Sequence, residues 1–181
     1  MTRSDLIRWG GLAAMLAGVA FAGFALLGMA AGGPNALLPQ LSFALAFGLL
    51  AVGFVGFHAL QKADYGLIGR VAYYILVVVL SVEFFARLVI TLSGSESFYW
   101  ILDIGTVGVL LGFVLYGVAT LRARVLPVWC GVLIIICLPV RIAMFPVDPW
   151  GLVVLGVLWL ALGYALWSRR EAVAAQPSRV R

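Results

Sequence analysis

Four ionisable side chains interrupt long apolar runs in this 181-residue sequence: Glu83, Arg87, Asp103 and Arg141. Their types allow definite chemistry. Two guanidinium groups can grip a carboxylate or phosphate through paired hydrogen bonds. A carboxyl group at Glu83 or Asp103 can act as a general acid. Glu83 and Arg87 are four residues apart, so on a helix they share one face. Against this stands a simpler arrangement. Glu83–Arg87 and Asp103–Arg141 sum to zero charge and can neutralise each other, stitching neighbouring helices together.

The surroundings of these residues say what must position them. The chain is 65% hydrophobic and 10% charged, with a mean hydropathy of +1.15. A soluble domain carries roughly 25% charged residues. Too few polar residues remain to cover a solvated surface, so lipid must form the outer environment. The expectation is an all-α, polytopic transmembrane helix bundle. Six apolar runs approach the ~20 residues that a bilayer core requires. They cover about residues 6–30, 37–60, 67–92, 98–121, 125–145 and 150–167. Gly32-Gly33-Pro34-Asn35, Ser93-Gly94-Ser95, and Pro146 with Pro149 supply turn chemistry between them. Residues 1–170 read as one domain, and 171–181 as a disordered basic tail.

Basic residues set the orientation. Arg3, Arg8, Lys62, Arg70, Arg122, Arg124, Arg169, Arg170, Arg179 and Arg181 all fall on one side of a six-span bundle, while Glu96 and Asp148 occupy the opposite loops. This asymmetry predicts both termini in the cytoplasm and a location in the plasma membrane. Trp9, Trp129 and Trp167 then mark the inner interface, and Trp100 and Trp150 the outer one. Arg3 and Arg8 followed by an apolar stretch and Met29-Ala30-Ala31 also fit a cleaved signal peptide. That stretch exceeds the usual 7–15-residue core, which favours a retained helix.

Depth follows from the rise of about 1.5 Å per residue. Glu83 lies about 20 Å and Arg87 about 25 Å above the inner end of the third span, and Arg141 about 20 Å along the fifth. Asp103 lies about 6 Å below the outer face. All four fall in the outer third of a core of ~30 Å. An ionisable group there costs about 2.5–3.5 kcal/mol at a helix centre, so each should face the bundle interior or water. Pro139, two residues before Arg141, removes a backbone hydrogen bond and should kink the fifth helix. Together these residues predict an outward-facing polar pocket between spans three, four and five.

Other chemistry is thin. His58 is the single histidine, so paired haem ligands and a His-rich metal site are ruled out. A capping or interfacial role suits it better. Lys62, the only lysine, lies in a loop. Cys130 and Cys137 are seven apart on one helix, too far for a disulfide. No Cys-x-x-Cys, phosphate-binding glycine loop or His-Glu-x-x-His occurs. No cofactor, metal or nucleic acid is expected, and Tyr73 and Tyr74 read as interfacial belt residues.

Small residues mark helix contacts. Ala14, Gly18 and Ala22 form a stripe on the first span, and Gly105, Gly108 and Gly112 on the fourth. The first stripe packs within the bundle or docks a membrane-protein partner or second copy. Trp9-Gly10-Gly11 and Trp129-Cys130-Gly131 open the first and fifth spans, and Gly69-Arg70 the third. Gly56, Gly117 and Gly163 recur near the ends of the even spans. The pattern suggests three helical hairpins of one type.

The run Leu121-Arg122-Ala123-Arg124-Val125-Leu126-Pro127-Val128-Trp129-Cys130-Gly131 resembles a helix join in small bacterial, actinobacterial-type polytopic membrane proteins. That family carries no settled activity to transfer. The six-span plan is also similar to the S components of energy-coupling-factor transporters, which implies an outward-facing ligand site. The similarity is one of architecture, without a ligand motif. The resulting expectation is a protein that binds a small anionic or amphiphilic ligand, as a transport component or accessory subunit. The alternatives are a membrane enzyme acting on a lipid or isoprenoid, with Glu83 or Asp103 as acid, and a structural subunit.

Overall fold

The computed structural model describes residues 2–31, 33–94, 96–143 and 150–174. Within these, side chains are described except at 96, 138, 140–143 and 170–174. The architecture is helical: α1 (Arg3–Ala30), α2 (Leu37–Gln61), α3 (Gly66–Ser93), α4 (Tyr99–Ala123), α5 (Val128–Ala143) and α6 (Trp150–Ala174), with a 3-10 turn over Glu96–Phe98 before α4. α6 continues through Ala174, into the stretch read as tail; residues 175–181 lie outside the described ones.

Local chemistry sets the ends. Thr2 accepts from the Asp5 N–H at 3.2 Å, and the Asp5 carboxylate accepts from the Thr2 N–H at 2.9 Å. This reciprocal cap starts α1 at Arg3, ahead of the first apolar residue. Gly94 ends α3 with φ 66°, in the left-handed region that glycine enters freely. Arg124 does the same after α4 with φ 54°.

Among the described residues, five helices are long and apolar enough to cross a membrane. The described part of α5, 16 residues, is shorter than the ~20 that a full crossing needs. The most apolar of the five, α3, has a mean hydropathy of 2.4 over a stretch only 22% buried. In water this would be inverted. Its exposed side, including Leu67, Val71, Val78, Phe85 and Leu92, has a compatible solvent only in lipid.

The helices form a ring. Each packs against its sequence neighbours, and α6 returns to α1. Neighbours are antiparallel: Arg3 meets Ala59 and Leu60 at the end of α2, and Gly11 meets Gly163 and Trp167 near the end of α6. The first turn of α1 and the last of α6 therefore lie at one end, called here the termini end. Glycine makes these approaches possible. A Cβ at Gly56 would fall 2.7 Å from Gly10 Cα, and one at Gly163 would fall 2.7 Å from the Gly11 carbonyl oxygen. A Cβ at Gly131 would likewise fall 3.1 Å from the Gly117 carbonyl oxygen. The recurring glycines of the even spans thus sit where two backbones touch.

The stripe Ala14, Gly18 and Ala22 is occupied within the chain. Ala14 lies under Gly53, while Gly18 and Ala22 face Gly156. A Ser42 hydroxyl donating to the Ala20 carbonyl at 2.8 Å adds a polar tie between α1 and α2. The middle of the ring is aromatic. Phe54, Phe57, Phe113, Tyr116 and Trp159 are buried there.

Candidate ligand-binding site

Glu83 ends the one buried stripe of α3, which runs Gly69, Ala72, Leu76, Leu80, Glu83. The i, i+4 spacing lets Arg87 reach back: its Nε donates to Glu83 Oε2 at 3.0 Å and its Nη2 lies 2.9 Å from the same oxygen. The pair is nearly dry, with side chains 16% and 1% exposed. The two groups then diverge. Glu83 points to α4, where its Oε1 fills the space a side chain at Gly105 would need. Arg87 points to α2, with its guanidinium carbon 4.5 and 4.6 Å from the ring centres of Phe43 and Phe47. Stacking on two rings partly replaces lost hydration of the cation. Glu83 Oε1 has no hydrogen-bond partner among the described residues. A buried polar atom in that state costs about 1–3 kcal/mol, more when charged.

Of the expected four-residue cluster, Glu83 and Arg87 are paired. Asp103, one turn into α4, is exposed, and Thr106 donates its hydroxyl to its own helix at Leu102, 2.8 Å away. Arg141 lies in the last turn of α5, and its side chain is outside the described residues, as is the expected Asp103–Arg141 pairing. Cys130, Ile134 and Cys137 share a buried face of α5, as their spacing predicts.

Close to Arg87 the ring encloses an apolar cavity of about 70 Å³. Phe21 from α1, Phe43 and Phe47 from α2, Val109 and Phe113 from α4, and Leu155 and Trp159 from α6 wall it. The sequence places a polar pocket between the third, fourth and fifth spans. This cavity involves α1, α2, α4 and α6, and Arg87 adjoins it through the two phenylalanines; the expected pocket draws on Arg141, whose side chain lies outside the described residues. The Phe43–Phe47 spacing of four was a usable signal, since it sets two rings on one helix face.

Toward the termini end a second polar group appears that sequence reasoning missed. His58 Nδ1 is hydrogen-bonded to the Tyr65 hydroxyl, and its ring stacks on Tyr73 with centres 4.0 Å apart. Burial pushes the Tyr65 hydroxyl above the ordinary tyrosine range, so it stays a phenol able to donate to Nδ1. Tyr73 is thus half-buried and partnered, whereas Tyr74 is exposed as a belt residue would be. Beyond this pair, Gln61, Tyr116 and Thr120 are buried with side-chain polar atoms that have no partner among the described residues.

Apolar helices of membrane-crossing length, an aromatic interior and an exposed, strongly apolar α3 define the class: a helical, multi-pass membrane protein. No protein-family model, curated protein or solved structure matches the chain.

Proposed function

We propose that the protein binds a small anionic or amphiphilic ligand, with Arg87 as the anion contact and the phenylalanine-walled cavity receiving the apolar part. The carrying observation is the setting of Arg87. One oxygen of Glu83 holds it, and it lies over Phe43 and Phe47, two walls of an apolar cavity. A cation beside an apolar hollow suits a molecule with an acidic head and a hydrocarbon body. The cavity of about 70 Å³ is well below the ~300 Å³ of ordinary ligand pockets, so binding requires the helices around it to part. The protein sits in the plasma membrane with six spans and both termini in the cytoplasm, as the ten basic residues at one end favour. The site then faces outward, and the role is that of a transport component or accessory subunit. Asp103 and Arg141 would line the approach to it.

Native mass spectrometry of the purified chain tests this reading. A retained anionic amphiphile is expected, lost in the Glu83→Gln/Arg87→Gln double variant, which strands no charge and stays monodisperse and folded, and kept in Glu83→Gln alone. A protein that is empty on isolation and takes up no anionic lipid from mixed vesicles would sink it.

The unpartnered, buried Oε1 of Glu83 favours a second reading, in which Glu83 is the acid of an enzyme acting on a lipid or isoprenoid. There Glu83→Gln abolishes turnover and leaves binding intact. In the first reading the same variant changes affinity without any reaction to lose.

A further inference from the structure

The interior of the ring changes character along its axis. In the far half the cavity beside the Glu83–Arg87 pair has an apolar lining that ends on Phe113 and Trp159. Phe54 lies 5.7 Å from each of these rings, and they lie 5.6 Å from one another. Three aromatics in mutual contact thus close the axis at mid-depth.

On the termini side of that layer the buried groups become polar. Helices α2 and α4 run parallel, because each is antiparallel to α3. Phe54 touches both Phe113 and Tyr116 of α4. Advancing two turns along both helices brings Gln61 to the depth of residues 120–123. Gln61 and Thr120 therefore share a level, and Tyr116 lies one turn away from Thr120. Gln61 and Tyr116 are 0% exposed and Thr120 1%. Both amide atoms of Gln61 and both hydroxyl oxygens lack a hydrogen-bond partner among the described residues. Thr120 differs in this from Ser81 and Thr106, whose hydroxyls donate to the carbonyl one turn back. Tyr65 adjoins the far side of the group: its ring is 5.9 Å from that of Tyr116, and its N–H donates to the Gln61 carbonyl at 3.3 Å.

We infer that Gln61, Tyr116 and Thr120 hold a cluster of bound water in a chamber between the aromatic layer and the Tyr65–His58 pair. The donor set decides the ligand. An amide that both donates and accepts, with two hydroxyls that do the same, carries no charge and offers no cage for an ion. Water satisfies such a mixed set, and buried waters characteristically make two to four bonds of this kind. A half-satisfied polar group inside an apolar bundle is less stable than an apolar one, so its retention requires a partner. The bundle then has two compartments, an apolar one beside Arg87 and a hydrated one at the termini end, with Phe54, Phe113 and Trp159 as the dry wall between them. This inference stands independently of ligand binding at Arg87.

Hydroxyl-radical labelling of the full chain in nanodiscs, read by mass spectrometry, tests it. Radicals generated from internal water mark side chains next to that water even where bulk solvent cannot reach. Tyr116 is expected to be labelled despite its burial. The label should fall several-fold in Gln61→Leu/Thr120→Val and persist in Thr120→Ser, with unchanged Tm in the serine variant as the folding control. An unlabelled Tyr116 in the unaltered chain overturns the proposal, including the case in which Gln61 and Thr120 simply bond to each other. Label that persists undiminished in the double variant also overturns it. A rise in Tm for Thr120→Val does so independently, because only a dry hydroxyl gains from removal.

Discussion

The Glu83 carboxylate stands where a side chain at Gly105 would begin. A Cβ at position 105 would overlap Glu83 Oε1 and lie 3.0 Å from its carboxyl carbon. Gly105→Ala must therefore drive the carboxylate aside and strain its bonds to Arg87. We expect a loss of about 1–3 kcal/mol, the usual range for overfilling a packed interior. Gly108→Ala meets Val79 Cγ2 at 3.0 Å, a much smaller overlap than at 105 although valine is stiff, and should cost less. Thermal unfolding in detergent compares the two, and equal Tm values would contradict the contact.

Removing one member of the Glu83–Arg87 pair strands the other. Arg87→Leu leaves a carboxylate that is 1% exposed, and about 3–5 kcal/mol of destabilisation is expected. Replacing both with leucine should restore most of that loss, because the cost comes from the stranded charge. A double-mutant cycle followed by chemical denaturation measures the recovery. Additive losses would show that the two side chains act separately.

Arg3 marks topology in the sequence and acquires a second task in the fold. Its Nε donates to the Ala59 carbonyl at 2.9 Å and its Nη2 to Leu60 at 3.0 Å, capping the last turn of α2. A cation is favoured at that helix end. Arg3→Gln should lower stability by about 1.5 kcal/mol, near the lower end for hydrogen bonds to a charged group. Amide exchange at the end of α2, around residues 59–62, should quicken most. Faster exchange spread evenly over the bundle would argue against a local cap.

Gly10 and Gly56 bring α1 and α2 to backbone contact. Gly56→Leu leaves no space for its side chain against Gly10 and the Leu6 carbonyl, 3.0 Å away. Failure to accumulate as a folded monomer is the expected outcome. Gly28→Ala, whose added carbon would meet Pro34 only at 3.5 Å, an ordinary contact, is the control for an added side chain away from close packing. Comparable yields of the two variants in a membrane-fraction immunoblot would remove the close approach from the account.

The sequence on its own determined the solvent and the elements. Apolar runs of bilayer length, turns rich in glycine and proline, and basic residues gathered at one set of ends depend only on local composition. The observed helices follow these runs closely, with α1 starting three residues early because Thr2 and Asp5 cap it. The link between Glu83 and Arg87 was equally legible, since helical spacing alone brings them together. Which way that pair faces was decided by tertiary structure. Glu83 turns to α4 because glycine at 105 leaves room, and Arg87 turns to α2 because two phenylalanines there offer ring faces. Asp103 shares their part of the chain but takes the exposed side of α4, a rotation that local pattern could not fix in helices apolar on every side. The unpartnered group of Gln61, Tyr116 and Thr120 was hidden for the same reason. Tyr116 and Thr120 are one turn apart on α4, but Gln61 on α2 is 55 positions or more from both, and only the tertiary fold brings it to their level.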